Sequence, residues 1–520
     1  MFRELKRRVS DMPEELKSRV SGVPDRRSAL VPAALIMTLS SLGAILHSSA
    51  HVYLIEQAIC RDYYASLENI GMGGGSLIDE TICKIPNIQS KVASTYGIYK
   101  MLTYVPALFL AGPYGKIGRV IGKKPVLILN MGSLGFSGIF FAAVCYYHQV
   151  FDVRWIYTTP LFDVLGGGWI IRSSFTYAYV SESVDQDELS HVFYKLSASQ
   201  MLISFVGLWL SSFLLRQNVW LQIFVGFVTL IIAIPVCFMF PNSGKASTQP
   251  ETKSNFSSSE FQQSTETSSL ISPAGTPLVP LAIEPEGGTV WIVLSGLTAS
   301  TTHSLELFRE MLYSSPLSRT TLLAFFSFRA GTSIDVILKQ WPCITHGWVI
   351  AQVNAINAYE MSVASVILLT LPAISRRLLQ PRFGGSVLDV DLYVTKICTL
   401  GHVFGVIWMG FAPGRVGYIL AITLWNLSYG MTDALRSYVT GVIRNKEEVE
   451  QLYLGIGMAE MMAGIIASAA WAGVFAKVVG SGYLLTRLPF IGSAIVFVGC
   501  FTCVWALGRF DDRRKGNEQV

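Results

Sequence analysis

Twelve apolar stretches, each about the length of a bilayer crossing, divide this 520-residue chain. A hydrocarbon core of about 30 Å takes about 20 mainly apolar residues per helical crossing. Lipid offers the backbone no hydrogen bonds, so such stretches satisfy their own peptide groups as helix rather than as open strand. They cover residues 29–55, 93–113, 125–147, 155–180, 192–215, 218–240, 319–341, 352–374, 391–411, 416–443, 450–476 and 482–508. The expected fold class is an all-α membrane protein with twelve transmembrane helices in two six-helix bundles. On this reading 1–28 is a basic cytoplasmic arm, 29–240 the first bundle, 241–318 a linker, 319–508 the second bundle and 509–520 a cytoplasmic tail.

Only 14% of the residues are charged, against about a quarter in ordinary soluble domains. Where those charges fall is therefore informative. The third stretch and the sixth contain no Asp, Glu, Lys or Arg, and the ninth and twelfth carry theirs (Asp391, Lys396, Arg487) mainly toward the ends. The first, fourth, seventh and tenth carry His47 and His51, Asp163 and Arg172, Arg329 and Asp335, and Asp433 and Arg436. A charge at mid-bilayer costs roughly 2.5–3.5 kcal/mol on insertion scales, so such groups face a cavity or a partner. Four helices that bear this cost, alternating with lipid-like ones, imply a polar path through the bundle. That is the pattern of a transporter.

Basic residues set the orientation. With the N-terminus in the cytoplasm, about 25 Lys and Arg lie inside and about 8 outside, as the positive-inside rule requires. The arm 1–28 supplies eight of them, including Lys6-Arg7-Arg8. Both termini are then cytoplasmic, and the first helix acts as an uncleaved insertion signal. The net charge of +5 reflects these membrane edges and does not point to nucleic acid. The linker is rich in Ser, Thr, Pro and Gln and reads as disordered. Two pseudo-equivalent halves around such a tether suit rocking about a midplane site.

Of eight cysteines, Cys145, Cys237, Cys398, Cys500 and Cys503 fall in apolar stretches and read as small buried hydrophobes. Cys60 and Cys83 share the long first external loop, and an oxidising exterior suits a bridge between them. A bridge from either to Cys343, near another external loop, is the alternative.

The charged positions suggest roles. Asn426, Tyr429, Asp433 and Arg436 fall on one helical stripe, where Asp433 and Arg436 can pair or form a moving gate. Asp163 and Arg172 lie about 13.5 Å apart on opposite faces of a continuous helix, so they do not pair. Arg172 suits a carboxylate or phosphate, or an interhelical salt bridge. Asp335, Glu360 and Glu460 are candidate proton carriers, Glu460 being the most isolated carboxylate or a partner of Lys100. His47 and His51 share a helix face and read as cavity-lining or proton-handling groups rather than metal ligands. Trp155, Tyr157, Trp341 and Trp348 near stretch ends read as interface anchors. No Gly-x4-Gly-Lys-Ser/Thr loop occurs, so ATP-driven pumping is not supported, and no catalytic constellation marks an enzyme.

After the second stretch the chain reads Gly112-Pro113-Tyr114-Gly115-Lys116-Ile117-Gly118-Arg119-Val120-Ile121-Gly122-Lys123-Lys124-Pro125. This resembles the loop 2–3 signature of the major facilitator superfamily. More narrowly it is similar to a fungal branch related to proton-coupled folate transporters, as are Glu56-Gln57-Ala58-Ile59-Cys60-Arg61-Asp62-Tyr63-Tyr64, Cys83-Lys84 with Gln89, and Ala434–Thr440. The resemblance implies that Gly115, Arg119, Gly122, Lys123 and Lys124 form a gating loop. Arg119 stands where the family has its Asp, and Val120 where it has an Arg, so the usual latch chemistry is altered. Lys123 and Lys124 also suit a simple anchor at the anionic inner leaflet. The resemblance further implies a monomer in the cell membrane that uses no cofactor and takes a small molecule and protons as partners. Efflux of a secondary metabolite is the leading expectation, with nutrient uptake or a non-transporting sensor as alternatives.

Overall fold

The computed structural model describes residues 26–68, 78–120, 123–168, 172, 176, 186–239, 306, 308, 309, 312, 313, 315–384, 386–443 and 446–518. The basic arm before residue 26 and nearly all of the linker, with its apolar segment, lie outside these. Among the described residues the elements are helical and there is no strand. The first half contributes α1 (Arg26–Glu68), α2 (Pro86–Val120), α3 (Lys123–Tyr146), α4 (Pro160–Gly166), α5 (Gln186–Gln217) and α6 (Val219–Phe238). The second contributes α7 (Pro316–Thr332), α8 (Asp335–Leu338), α9 (Trp341–His346), α10 (Ile350–Ile374), α11 (Val387–Phe411), α12 (Gly414–Leu427), α13 (Met431–Val442), α14 (Lys446–Val478) and α15 (Leu488–Glu518).

Among the described residues nine helices are long and apolar enough to cross a membrane. The other three expected crossings differ for physical reasons. The second, α2, is 35 residues long but polar where it bears Tyr96, Lys100 and Tyr104. The fourth begins as α4 and runs into residues largely outside the described ones. The tenth is two helices, α12 and α13, interrupted at Ser428–Gly430. The seventh is likewise broken, into α7, α8 and α9. At the other end, α15 continues to Glu518, so residues expected as a tail prolong the last helix.

Local chemistry explains the short connections. Asn218 sits in extended conformation between α5 and α6, and its side chain accepts from Trp220 N, closing a tight hairpin. Ser315 caps α7 ahead of Pro316, and Ser386 caps α11. In α4 the chain leaves the helix at Gly167 (φ 78°) and Gly168 (φ 67°), left-handed conformations suited to glycine. The carbonyls freed there are not orphaned. Asn130 of α3 donates to Gly166 O and Gly168 O, each at 2.7 Å, and Ser133 donates to Phe162 O at 2.7 Å.

Within the first half α1 packs on α5 and α6, and α3 on α4 and α6. Within the second, α7 packs on α14 and α15, and α11 on α12, α13 and α15. The halves meet along two seams, α2 against α14 and α5 against α10. The first is close because Gly97 has no side chain: a methyl group built there would lie 2.1 Å from Ala472 Cβ. Trp341 and Trp348, expected at the membrane interface, are instead core residues, 1% and 5% exposed. Trp341 packs on Phe475 and Phe490. Trp155 is exposed, at 53%.

Candidate functional site: the charged seam between the halves

The broken seventh crossing brings three ionisable groups to the α2 seam. The Arg329 guanidinium donates to the Tyr104 hydroxyl of α2 and lies 5.4 Å from the centre of that ring. The gap between α7 and α8 turns Asp335 toward the same space, where it interacts electrostatically with Lys100 of α2, Lys339, Arg329 and Glu360. Lys339 Nζ donates to Ser48 O of α1 at 3.2 Å. Both lysines flank one ring: Lys100 Nζ is 5.7 Å and Lys339 Nζ 6.0 Å from the centre of Tyr96. Asp335 remains exposed, and Lys100, Lys339 and Arg329 partly exposed, at the middle of the molecule. They face one another across α2 and the broken seventh crossing.

Further along the seam, Arg436 of α13 donates to both carboxylate oxygens of Glu460 of α14, at 3.0 and 3.2 Å. Sequence reasoning expected Arg436 to meet Asp433 and left Glu460 isolated. The break before α13 rotates Arg436 toward α14 and onto the Phe325 ring, 5.4 Å from its centre. Asp433 stays within electrostatic reach of both partners. The break also divides the expected continuous stripe: Asn426 lies on α12, beside Glu360, while Asp433 and Arg436 lie on α13. Among the described residues Glu360 has Asn426, Asp335, Tyr418 and Tyr429 as its electrostatic neighbours, and no cation within 4.0 Å.

The remaining expected groups sit inside the first half. Because α4 ends at Gly166, the continuous-helix separation of Asp163 and Arg172 does not apply; they interact electrostatically but lie more than 4.0 Å apart. His47 is buried, held beside Gly138 and Gly226, and packs between α1, α3 and α6 rather than lining the seam. His51 stacks on Phe141 at 4.0 Å and meets Tyr99 edge-on at 5.3 Å, within reach of both seam lysines. The expected gating loop is not a loop over Gly115 and Arg119, since α2 continues to Val120. Gly122 lies outside the described residues. Lys123 opens α3, and Lys124 donates to Phe238 O at 3.1 Å, joining the start of α3 to the end of α6.

The opposite end of the seam, expected from the sequence to be external, is tied differently. A disulfide joins Cys60 to Cys83, while Cys343 is free and buried. The next residue, Lys84, donates to both Glu56 oxygens at 2.7 and 2.8 Å and to Glu80 at 2.7 Å. Burial alone would depress the Lys84 ammonium, but Glu56, Cys343 and Glu80 outweigh it and raise it above the ordinary lysine value. Glu80 also accepts from Ile350 N, at the start of α10 in the other half, at 2.7 Å. Ser90 donates to Ala476 O, Ser212 to Ala351 O and Asn354 to Ser211, all across the two seams.

Lys100, Lys339, Tyr96 and Tyr104 were not singled out as path residues from sequence. The signal was available: both lysines interrupt expected crossings, and the cost argument applied to His, Asp and Arg covers them equally.

No family model matches the chain. Over 224 residues it is 30% identical to the MFS efflux pump atnC of Emericella nidulans, covering 42% of this chain and 44% of that protein. Over 453 residues it is 22% identical to the MFS-type protein aprT of Aspergillus flavus, covering 86% and 82% of the two chains. The chain thus spans less than half of the first relative's length and most of the second's. Among solved structures it is similar to a POT family transporter crystallised with 5-aminolevulinic acid, with a TM-score of 0.56, 12% identity and 92% and 96% of the chains covered. The chain has the all-helical major facilitator fold and is a multi-pass membrane protein. Both fungal relatives bear the MFS label in their names.

Proposed function

We propose that this protein is a secondary transporter that moves a small organic molecule between two six-helix bundles by alternating access. One observation carries the reading: Arg329, Asp335, Lys339 and Lys100 converge from opposite halves on a partly exposed seam. Ionisable groups at this depth are costly unless they serve a path. Protons drive the movement, and Glu360 is the carrier, being the seam carboxylate with no described cation beside it. The narrower resemblance to proton-coupled folate transporters supports that driving ion. Likeness to named fungal efflux pumps supports export, of a secondary metabolite, across the cell membrane by a monomer with both termini in the cytoplasm.

The test is two-stage. Cells with and without the protein are grown on a panel of toxic metabolites, and any protected compound is then followed in proteoliposomes under an imposed pH gradient. Export requires flux that collapses with an uncoupler and is lost in Glu360→Gln. Flux in the opposite direction would make it an uptake system. Ligand binding with no flux in either direction would make it a sensor and overturn the proposal.

A further inference from the structure

Two ammonium groups face one aromatic ring, and too little negative charge lies beside them to balance them. Lys100 arrives from α2, and Lys339 from the short segment after α8, so the pair straddles the two halves. Their Nζ atoms lie 5.7 and 6.0 Å from the centre of the Tyr96 ring. Among the described residues neither ammonium has a carboxylate within 4.0 Å; the ion pairs elsewhere are Lys84 with Glu56 and Glu80, His148 with Asp62, and Arg436 with Glu460. Lys339 hydrogen-bonds Ser48 O and the Tyr96 side chain, both neutral. Asp335 is the carboxylate that interacts electrostatically with both lysines. Arg329 faces Asp335 as well, so three cations stand against the carboxylates of Asp335 and Glu360 and leave one positive charge, at a depth where uncompensated charge is costly.

The surroundings favour a flat ligand. His51 lies within reach of both ammoniums, stacked on Phe141 and edge-on to Tyr99. Tyr99 and Phe141 are buried and back the partly exposed His51, so His51 is the ring that receives a planar group while the lysines take its charge. A lone inorganic anion would use the lysines and leave this ring idle.

We infer that Lys100 and Lys339, beside Tyr96, form the binding site for a monoanionic aromatic carboxylate, which is the substrate class of the transporter. The inference rests on the transport reading for the word substrate but not for binding. A carboxylate between the two ammoniums neutralises the excess charge and bridges the halves. Binding there couples occupancy to the rocking of one bundle against the other. Asp335 competes with the ligand for the same cations and so sets how tightly it is held.

The test uses the full-length protein in nanodiscs near pH 7, with benzoate as probe and benzamide, its uncharged isostere, as control at equal ionic strength. Benzoate should stabilise the protein against heat in a concentration-dependent way, and benzamide should not. Lys100→Gln and Lys339→Gln should each weaken benzoate binding about ten-fold, as loss of a charge-assisted hydrogen bond does. Lys339→Arg should retain binding, and Asp335→Asn should tighten it. The last variant keeps the proposal testable if a lysine variant fails to fold. Equal effects of benzoate and benzamide, no effect of benzoate, or weaker binding in Asp335→Asn would each overturn it. Binding as predicted with no flux would instead overturn the transport reading and leave this site standing.

Discussion

One end of the seam and its central level are built from the same residue types but joined in opposite ways. At the end that carries the disulfide, Lys84 is directly paired: it is shared by Glu56 and Glu80 within 2.8 Å, and Glu80 in turn holds Ile350 N. At the centre, Lys100, Lys339, Asp335 and Glu360 interact electrostatically without forming an ion pair within 4.0 Å. A satisfied cluster holds one arrangement; a spaced one leaves room for a ligand or a proton to complete it. The molecule thus separates closure from recognition along one interface.

Four perturbations test that contrast, in order of expected size. Arg436→Ala leaves Glu460 without its cation in a mostly buried position and should cost about 4 kcal/mol, seen as a large drop in thermal stability in detergent. Replacing both partners, as Arg436→Met with Glu460→Leu, should recover most of that loss; if the double variant is as unstable as the single one, the pair is not what holds α13 to α14. Next, Cys60→Ser with Cys83→Ser opens a loop with a sequence separation of 23 residues and should cost about 3 kcal/mol. Because the bridge sets the position of Lys84, that variant should also slow cross-linking between cysteines placed at Ser90 and Ala476. Third, Gly97→Ala forces a methyl onto Ala472 and should cost about 2 kcal/mol. Here the same cross-link reports separation of α2 from α14, and an unchanged rate would show that closure does not depend on this approach. Smallest, Glu80→Gln keeps the acceptor for Ile350 N but removes a charge from Lys84. It should cost about 1 kcal/mol and leave ligand binding at the centre unchanged.

The comparison also explains what could be read from the chain. Crossings were legible because a bilayer demands long apolar helices, so α3, α6 and α11 follow their stretches closely, whereas α1 runs on to Glu68 through the start of the expected loop. Breaks were not. Nothing in a 3.6-residue period shows that Gly167-Gly168 ends α4 or that the tenth crossing stops at Ser428–Gly430, and both decide which way charges point. Arg436 was identified as functional, yet its partner was assigned to Asp433 because a continuous helix was assumed. Glu460 waits 24 residues further on, and pairing across helices carries no periodic signature. Lys100 and Lys339 were visible as costly residues but gained meaning only when α2 and the segment after α8 met at Tyr96. Trp341 shows the converse: a tryptophan near a stretch end looks like an interface anchor, but its depth depends on how α9 folds back on Phe475 and Phe490.

The central claim is that the seam at Asp335 is reached by water although it lies at the middle of the bilayer. In a background without reactive cysteines, Asp335→Cys should be modified by a charged, membrane-impermeant thiosulfonate applied to sealed vesicles of known orientation. Phe136→Cys, on the exposed outer surface of α3, should stay unmodified. Reaction at 335 with protection at 136 is the predicted outcome. An inert cysteine at 335 from both sides of the membrane would contradict the account.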